Sequence, residues 1–244
     1  MKNIPLNERI IFALDFTDPE EAKRWVEKVD SEIKFFKVGL ILFMANGWWN
    51  LIDYMIKRGN KVMVDLKFFD IPETVYGATV QLKNRGITFA TIHGNEPIIE
   101  AAVKDKGDMK VLAVTVLTSF DESDMIEMGF TKTVQDLVEI RARKALRLGC
   151  DGIVSSPLEA AAVRKEFGEN FLIVTPGIRP GLNRDVIGID DQKRIATAKQ
   201  AIINGADHVV IGRPIRMAPD PISAIHAIQQ EICDGLAICR ENKT

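Results

Sequence analysis

The run Val64-Asp65-Leu66-Lys67-Phe68-Phe69-Asp70-Ile71-Pro72 sets a lysine between two carboxylates, directly after the apolar segment 61–64. If residues 62–67 form a strand, alternation turns Asp65 and Lys67 the same way and Leu66 the opposite way. A carboxylate and an ammonium are then aimed together at a strand end, with Asp70 on the turn that follows. A fixed ammonium can stabilise a developing negative charge and then hand it a proton. An ordinary surface ion pair is the plain alternative. It loses ground because other charged residues fall at strand ends in the same chain.

Two further segments suit an anion. One is Thr175-Pro176-Gly177-Ile178-Arg179-Pro180-Gly181, and the other is Ile211-Gly212-Arg213-Pro214-Ile215. Gly177 and Gly212 allow backbone N–H groups to approach a ligand closely. Arg213 offers a bidentate fork, and a short helix starting near Pro214 adds its positive end. Turn glycines beside surface arginines are the alternative for either loop alone. Two such loops at neighbouring strand ends favour phosphate. Between Arg179 and Lys193 lies a long polar segment with Gly181 and Gly188. It reads as a lid closing over phosphate, with Gln192 at its far end in reach of the phosphate or base, or else as a plain surface loop.

These residues need a scaffold that gathers strand ends. Short β-rich runs at 10–16, 35–40, 61–67, 88–93, 110–117, 152–155, 171–175 and 208–211 alternate with helical patterns. The helices are expected at 18–29, 48–57, 72–83, 97–104, 134–148, 157–167, 192–203 and 221–237. Asp18-Pro19-Glu20-Glu21 is an N-cap followed by proline and first-turn acids. Gly59, Gly86, Gly107, Gly149, Gly168 and Gly205 sit where helices should stop. Eight such units predict an α/β fold, a single-domain (β/α)8 TIM barrel spanning 1–244, with its site at the C-terminal ends of the strands. An open doubly wound sheet is the runner-up, but no GxGxxG follows the first strand. In a barrel, Asp15, Lys37, Asp65, Lys67, Asp70, His93, Arg179 and Arg213 would share one rim.

Composition narrows the partner. A net charge of −2 gives no basic field for nucleic acid, so a small ligand is expected. Three separated cysteines (Cys150, Cys233, Cys239) suit a reducing compartment better than a disulfide framework. No segment approaches the roughly 20 apolar residues of a membrane span, and MKNIPLNERI has no signal-peptide core. A soluble, cytoplasmic protein is expected.

Over nearly its whole length the chain resembles the orotidine 5′-phosphate decarboxylase family, in its bacterial form. The resemblance rests on Ala13-Leu14-Asp15, Phe36-Lys37-Val38-Gly39, Asp65-x-Lys67-x-x-Asp70-Ile71-Pro72, Leu117-Thr118-Ser119 and the two glycine loops, in that order. It implies decarboxylation of orotidylate to UMP and carbon dioxide, the last step of de novo pyrimidine synthesis, with no metal and no organic cofactor. It implies that Lys67 donates the proton, and that Asp15, Lys37 and Asp65 hold ribose or complete the charged row. Asp70 and Thr74 would reach across a homodimer into the partner's site, beside Ile71 of the same motif. Thr118 and Ser119 would lie near the pyrimidine, and Arg179, Gln192, Gly212 and Arg213 would hold phosphate.

The chain departs from the bacterial pattern at Phe69, Glu73, the Gly94-Asn95-Glu96-Pro97 turn and Arg216-Met217. None of these belongs to the charged row. Ketogulonate-phosphate decarboxylases and hexulose-phosphate synthases share Asp-x-Lys-x-x-Asp, but they use magnesium and carry Glu where this chain has Lys37. A lysine there opposes a cation. A non-catalytic nucleotide sensor is the remaining rival, and the intact Asp65, Lys67 and Asp70 argue against it. His208 and His226 read as structural, Trp48 and Trp49 as helix packing, and Met44 and Met55 as core filler; His93 could line the site.

Overall fold

Largely apolar runs form strands here because a parallel sheet is covered on both faces. The computed structural model describes residues 2–182 and 194–241. Its strands are β1 (Ile10–Ala13), β2 (Phe35–Gly39), β3 (Lys61–Phe68), β4 (Phe89–Ile92), β5 (Lys110–Val114), β6 (Gly152–Val154), β7 (Leu172–Thr175) and β8 (His208–Ile211). They pair in sequence order, all parallel, and β1 closes on β8 through Ile10↔Val209 and Phe12↔Ile211. The result is a closed (β/α)8 barrel, which sets aside the open doubly wound sheet.

Alternation sorts each strand into two cores. Ile11, Ala13, Phe35, Met63, Phe89 and Val210 pack with their like in the barrel's interior. Phe12, Phe36, Val38, Val64, Ala90 and Ile92 belong to the larger cluster under the helices. The inner positions therefore continue upward to Asp15 on the first strand's line, Lys37 on the second, Asp65 on the third, and Thr91 and His93 on the fourth. One layer of apolar side chains supports one layer of polar ones.

The covering helices are α1 (Leu6–Arg9), α2 (Pro19–Val29), α3 (Leu40–Phe43), α4 (Trp48–Lys57), α5 (Pro72–Lys83), α6 (Glu96–Val103), α7 (Glu122–Glu127), α8 (Val134–Arg147), α9 (Ala160–Phe167), α10 (Ala198–Ile203), α11 (Arg213–Arg216) and α12 (Pro221–Glu241). Asp18 caps α2 by accepting the Glu20 N–H at 2.9 Å, and Pro19 takes the first position. Such a cap contributes about 1 kcal/mol. Ala22, Val26 and Val29 then form the buried stripe of α2. The six expected stop glycines all have positive φ, from 59° at Gly107 to 101° at Gly205.

Some boundaries differ from the sequence expectation. β1 and β5 end three residues early, at Ala13 and Val114. The helix expected from 157 begins at Ala160. The one expected from 192 begins at Ala198, because Ile178 and Ala196 form an isolated parallel bridge that keeps the backbone extended there. Thr197 then caps α10 through the Gln200 N–H. The short helices α1, α3 and α7 were not expected. Among the described residues no helix is long and apolar enough to cross a membrane.

His208 forms part of the barrel floor. Its ring meets Phe35 and Phe89 edge-on at 5.5 and 5.4 Å, and its Nδ1–H donates to the Glu8 carbonyl at 2.9 Å. Burial pushes its pKa down to about 4. The unfolded chain therefore takes this proton first as pH falls. Stability that is complete above the unfolded value of 6.5 should decline towards pH 4, by about 3 kcal/mol for this group. Denaturant titrations of wild type and His208→Gln at pH 7 and pH 4.5 check this: the wild type should lose more stability between the two pH values than the variant.

Candidate active site

The polar layer at the barrel mouth is one connected row. Lys37 Nζ lies 3.1 Å from Asp15 Oδ1 and 3.6 Å from Asp65 Oδ2, and Lys67 Nζ lies 2.9 Å from Asp65 Oδ1. Charges thus alternate from β1 to β3. Strand register accounts for the spacing: Ala13 is opposite Lys37, and Gly39 is opposite Asp65. Gly39 also leaves room, since a Cβ there would stand 3.1 Å from Lys37 Nζ.

The row is graded in burial. The side chains of Lys37 and Asp65 are 11% and 13% exposed, whereas Lys67 is 34% exposed. Lys67 is therefore the amine a ligand can meet. Burial alone would raise the Asp65 pKa, but the Lys37 and Lys67 ammoniums and the hydrogen bonds from Lys67 and Thr91 outweigh it, and the pKa falls below the usual carboxylate range. Burial alone would lower the Lys37 pKa; the Asp65 and Asp15 carboxylates outweigh it and raise it. The interior pair is charged on both sides.

Asp65 and Lys67 meet as the sequence suggests, but not by simple alternation. The β3–β4 ladder runs Met63↔Phe89 and Val64↔Ala90, then resumes at Phe68↔Ile92. Lys67 sits inside this bulge with φ +50°, the only non-glycine with positive φ among the described residues. Thr91 fills the break. Its Oγ1 accepts the Lys67 N–H at 3.0 Å and donates to Asp65 Oδ1 at 2.9 Å. The sequence reading did not single out Thr91. The signal was its inner-face position two residues before His93.

His93 also lies beside the row. Its Nδ1–H donates to the Val114 carbonyl at 3.0 Å, and its ring lies 5.7 Å from Phe69. Burial lowers its pKa, helped by the Arg141 and Lys67 charges and opposed by the Val114 bond. The neutral ring leaves Nε2 as an acceptor.

The glycine loop after β8 adjoins the row. A Cβ on Gly212 would stand 3.6 Å from Asp15 Oδ2, so the loop after β8 touches the first member of the charged series. Arg213 opens α11 and is exposed. Arg216 ties α11 back to the first strand's loop, donating to the Asp15 carbonyl at 3.0 Å and lying over the Phe16 ring. Gly177 has φ +78° in the neighbouring loop. There the Arg179 N–H donates to the Ala196 carbonyl at 2.9 Å, and the Arg179 guanidinium donates to the Ile178 carbonyl at 2.8 Å. Gln192 and most of the expected lid lie outside the described residues.

Thr118 is buried and Ser119 half-buried in the segment after β5. A buried ion pair, also unforeseen, braces that segment. Arg194 Nη1 meets Glu159 Oε1 at 2.6 Å, and Nη2 donates to the Leu117 carbonyl at 2.8 Å. Ser156 donates to the same glutamate.

Three expected site residues stand apart within the chain. Asp70 is exposed and accepts the Ile71 N–H at 2.7 Å, with no ion pair to Lys67. Ile71 and Thr74 are exposed as well. Phe69, next to Asp70, is an exposed apolar side chain like Ile71; Leu40 and Met44 in the segment after β2 are exposed too, so Met44 is not the core filler expected from the sequence. Among the described residues no group of three or more His, Cys, Asp or Glu is placed to hold a metal ion.

Fold and row together describe a closed (β/α)8 barrel that carries a row of alternating charges at the C-terminal ends of its first three strands. Residues 8–228 match the model of the orotidine 5′-phosphate decarboxylase / HUMPS family, and the chain belongs to that family. It is 50% identical to the orotidine 5′-phosphate decarboxylase of Methylococcus capsulatus, covering 97% of this chain and 96% of that one. Identity to the Stenotrophomonas maltophilia enzyme of the same name is 44%, covering 95% of each. The crystal structure of orotidine 5′-phosphate decarboxylase from Lactobacillus acidophilus superposes with a TM-score of 0.78 at 33% identity, covering 92% of this chain and 99% of that one.

Proposed function

We propose that this chain decarboxylates orotidine 5′-phosphate to UMP and carbon dioxide, with Lys67 protonating C6 of the pyrimidine. The observation that carries the proposal is the unbroken series Gly212–Asp15–Lys37–Asp65–Lys67. At one end stands the glycine loop after β8, at the other a partly open amine. Loss of carbon dioxide leaves the bonding electron pair on C6, in the ring plane, with no adjacent electron sink. Only interactions that strengthen as that charge develops lower the barrier. The Lys67 ammonium is held by Asp65 before the reaction begins, so little reorganisation is needed when charge appears. The ammonium proton then forms the new C6–H bond, and solvent restores the amine's proton. No step uses a metal or organic cofactor.

Phosphate binding is assigned to the loops holding Gly212 and Arg213, with Arg179 and Gln192. Thr118 and Ser119 are assigned to the pyrimidine, and Asp15 and Lys37 to ribose. Binding energy gathered at the remote phosphate serves the reacting carbon by positioning it and excluding water. The magnesium-using relatives do not fit as well, because Lys37 occupies the middle of the row between two carboxylates. Purified protein treated with EDTA and given orotidylate should bleach the orotate absorbance and yield UMP. An unchanged spectrum would exclude the activity.

A homodimer belongs to the same proposal. Asp70 projects beside the exposed Phe69 and Ile71, and among the described residues Asp65 is the carboxylate paired with Lys67. A second copy covering these residues would bring Asp70 and Thr74 to the partner's row. Mixing inactive Lys67→Ala and Asp70→Ala proteins under exchange conditions should then restore activity at about a quarter of the sites, since half the dimers are hybrids with one native site each. No recovery, with exchange verified, would place Asp70 in its own chain's site or in none. The free thiols of Cys150, Cys233 and Cys239 suit the cytoplasmic setting we propose.

A further inference from the structure

We propose that Thr91 is a positioning residue for the decarboxylation: its hydroxyl fixes the Lys67 backbone and the Asp65 carboxylate as one unit. The inference rests on the reading of Lys67 as proton donor.

Three residues, 65–67, lie on β3 where only Thr91 lies opposite on β4. Two residues are thus in excess on the strand that carries the chemistry. The excess is absorbed at Lys67, whose φ of +50° is costly for a side chain with a Cβ. Bulging also removes the ladder partner of the Lys67 N–H. The Thr91 hydroxyl takes its place at 3.0 Å.

That hydroxyl has one proton, and it goes to Asp65 Oδ1 at 2.9 Å. The same oxygen accepts Lys67 Nζ at 2.9 Å, while Oδ2 faces Lys37 at 3.6 Å. Thr91 therefore decides which carboxylate oxygen serves which lysine. It is wholly buried, so water cannot replace the hydroxyl. Without it the Asp65 carboxylate is free to rotate towards Lys37, and Lys67 loses both its backbone anchor and the direction of its amine. Thr91 touches none of the reacting atoms in this account; it acts through Asp65 and Lys67.

Thr91→Val keeps the shape and removes the hydroxyl, whereas Thr91→Ser keeps the hydroxyl. Thr91→Val should lower kcat for orotidylate by about 30-fold, with KM and the Kd for UMP within about threefold of wild type. Thr91→Ser should recover kcat to within about threefold. The charged groups facing Asp65 are Lys37 from β2 and Lys67 on β3, with Asp15 behind Lys37; Thr91 is the neutral donor from β4 and His93 lies above it. Losing that donor should raise the Asp65 pKa and move the acid limb of the kcat/KM profile to higher pH. A role confined to packing would leave that limb in place. Wild-type kcat and pH profile in Thr91→Val would overturn the inference, as would equal losses in Thr91→Val and Thr91→Ser. If Thr91→Val does not fold, Thr91→Cys carries the same expectations, its thiol being a much weaker hydrogen-bonding group of similar size. Lys67→Ala measured alongside separates the two readings. A dead Lys67→Ala with a normal Thr91→Val removes only Thr91's role, whereas an active Lys67→Ala removes the proton-donor reading itself.

Discussion

Lys67→Ala should lose about four powers of ten or more in kcat for orotidylate, because the change removes both the fixed charge and the proton at C6. Removing one such stabilising donor costs about 10²–10³, and losing a general acid costs a comparable factor. The fold should survive. Lys67 is one-third exposed, and Asp65 keeps Lys37 and the Thr91 hydroxyl as partners. Affinity for UMP should change far less than kcat, since the phosphate contacts proposed for Gly212 and Arg213 lie at the other end of the row. Steady-state kinetics, a UMP titration and a thermal melt on one preparation separate these effects. A variant with kcat within tenfold of wild type would remove Lys67 from the chemistry.

Arg213→Ala should reduce kcat/KM for orotidylate by about 10²–10³, the worth of two charge-assisted hydrogen bonds to a phosphate. Turnover of orotidine, which lacks the phosphate, should change by less than about threefold. The contrast follows from position. Arg213 opens α11 directly after Gly212, and Gly212 stands beside Asp15, at the end of the row away from Lys67. Its contribution to the reacting carbon must therefore pass through the phosphate it holds. Equal losses on both substrates would mean that Arg213 supports the barrel mouth rather than the anion.

Much of this arrangement is legible in the sequence, for reasons that lie in particular residues. A strand such as β1 is readable because both faces are apolar, and six helix stops carry a glycine whose backbone only glycine adopts easily. Asp15, Lys37 and Asp65 follow inner-core residues by two positions, so period-2 alternation is enough to aim them. Lys67 was aimed correctly by a rule that fails locally. Its partner is Asp65, yet it arrives there through a bulge and a positive φ that no pattern of residue types announces. Thr91 stayed hidden for the same reason, because its importance lies in the break of the ladder opposite it. Arg194 and Glu159 are far apart in sequence and pair only when the segments after β6 and β7 converge. α10 starts later than the helical pattern suggests because the Ile178–Ala196 bridge is a tertiary contact that overrides local helical preference.

The proposed roles reduce to one geometric statement: the pyrimidine carbon that loses its carboxyl group lies against the Lys67 amine. A crystal structure of the protein with UMP bound tests it most directly. C6 should lie about 3–3.5 Å from Lys67 Nζ, with the phosphate on Gly212 and Arg213. UMP bound with C6 turned away from Lys67, or with its phosphate elsewhere than the loop after β8, would contradict it.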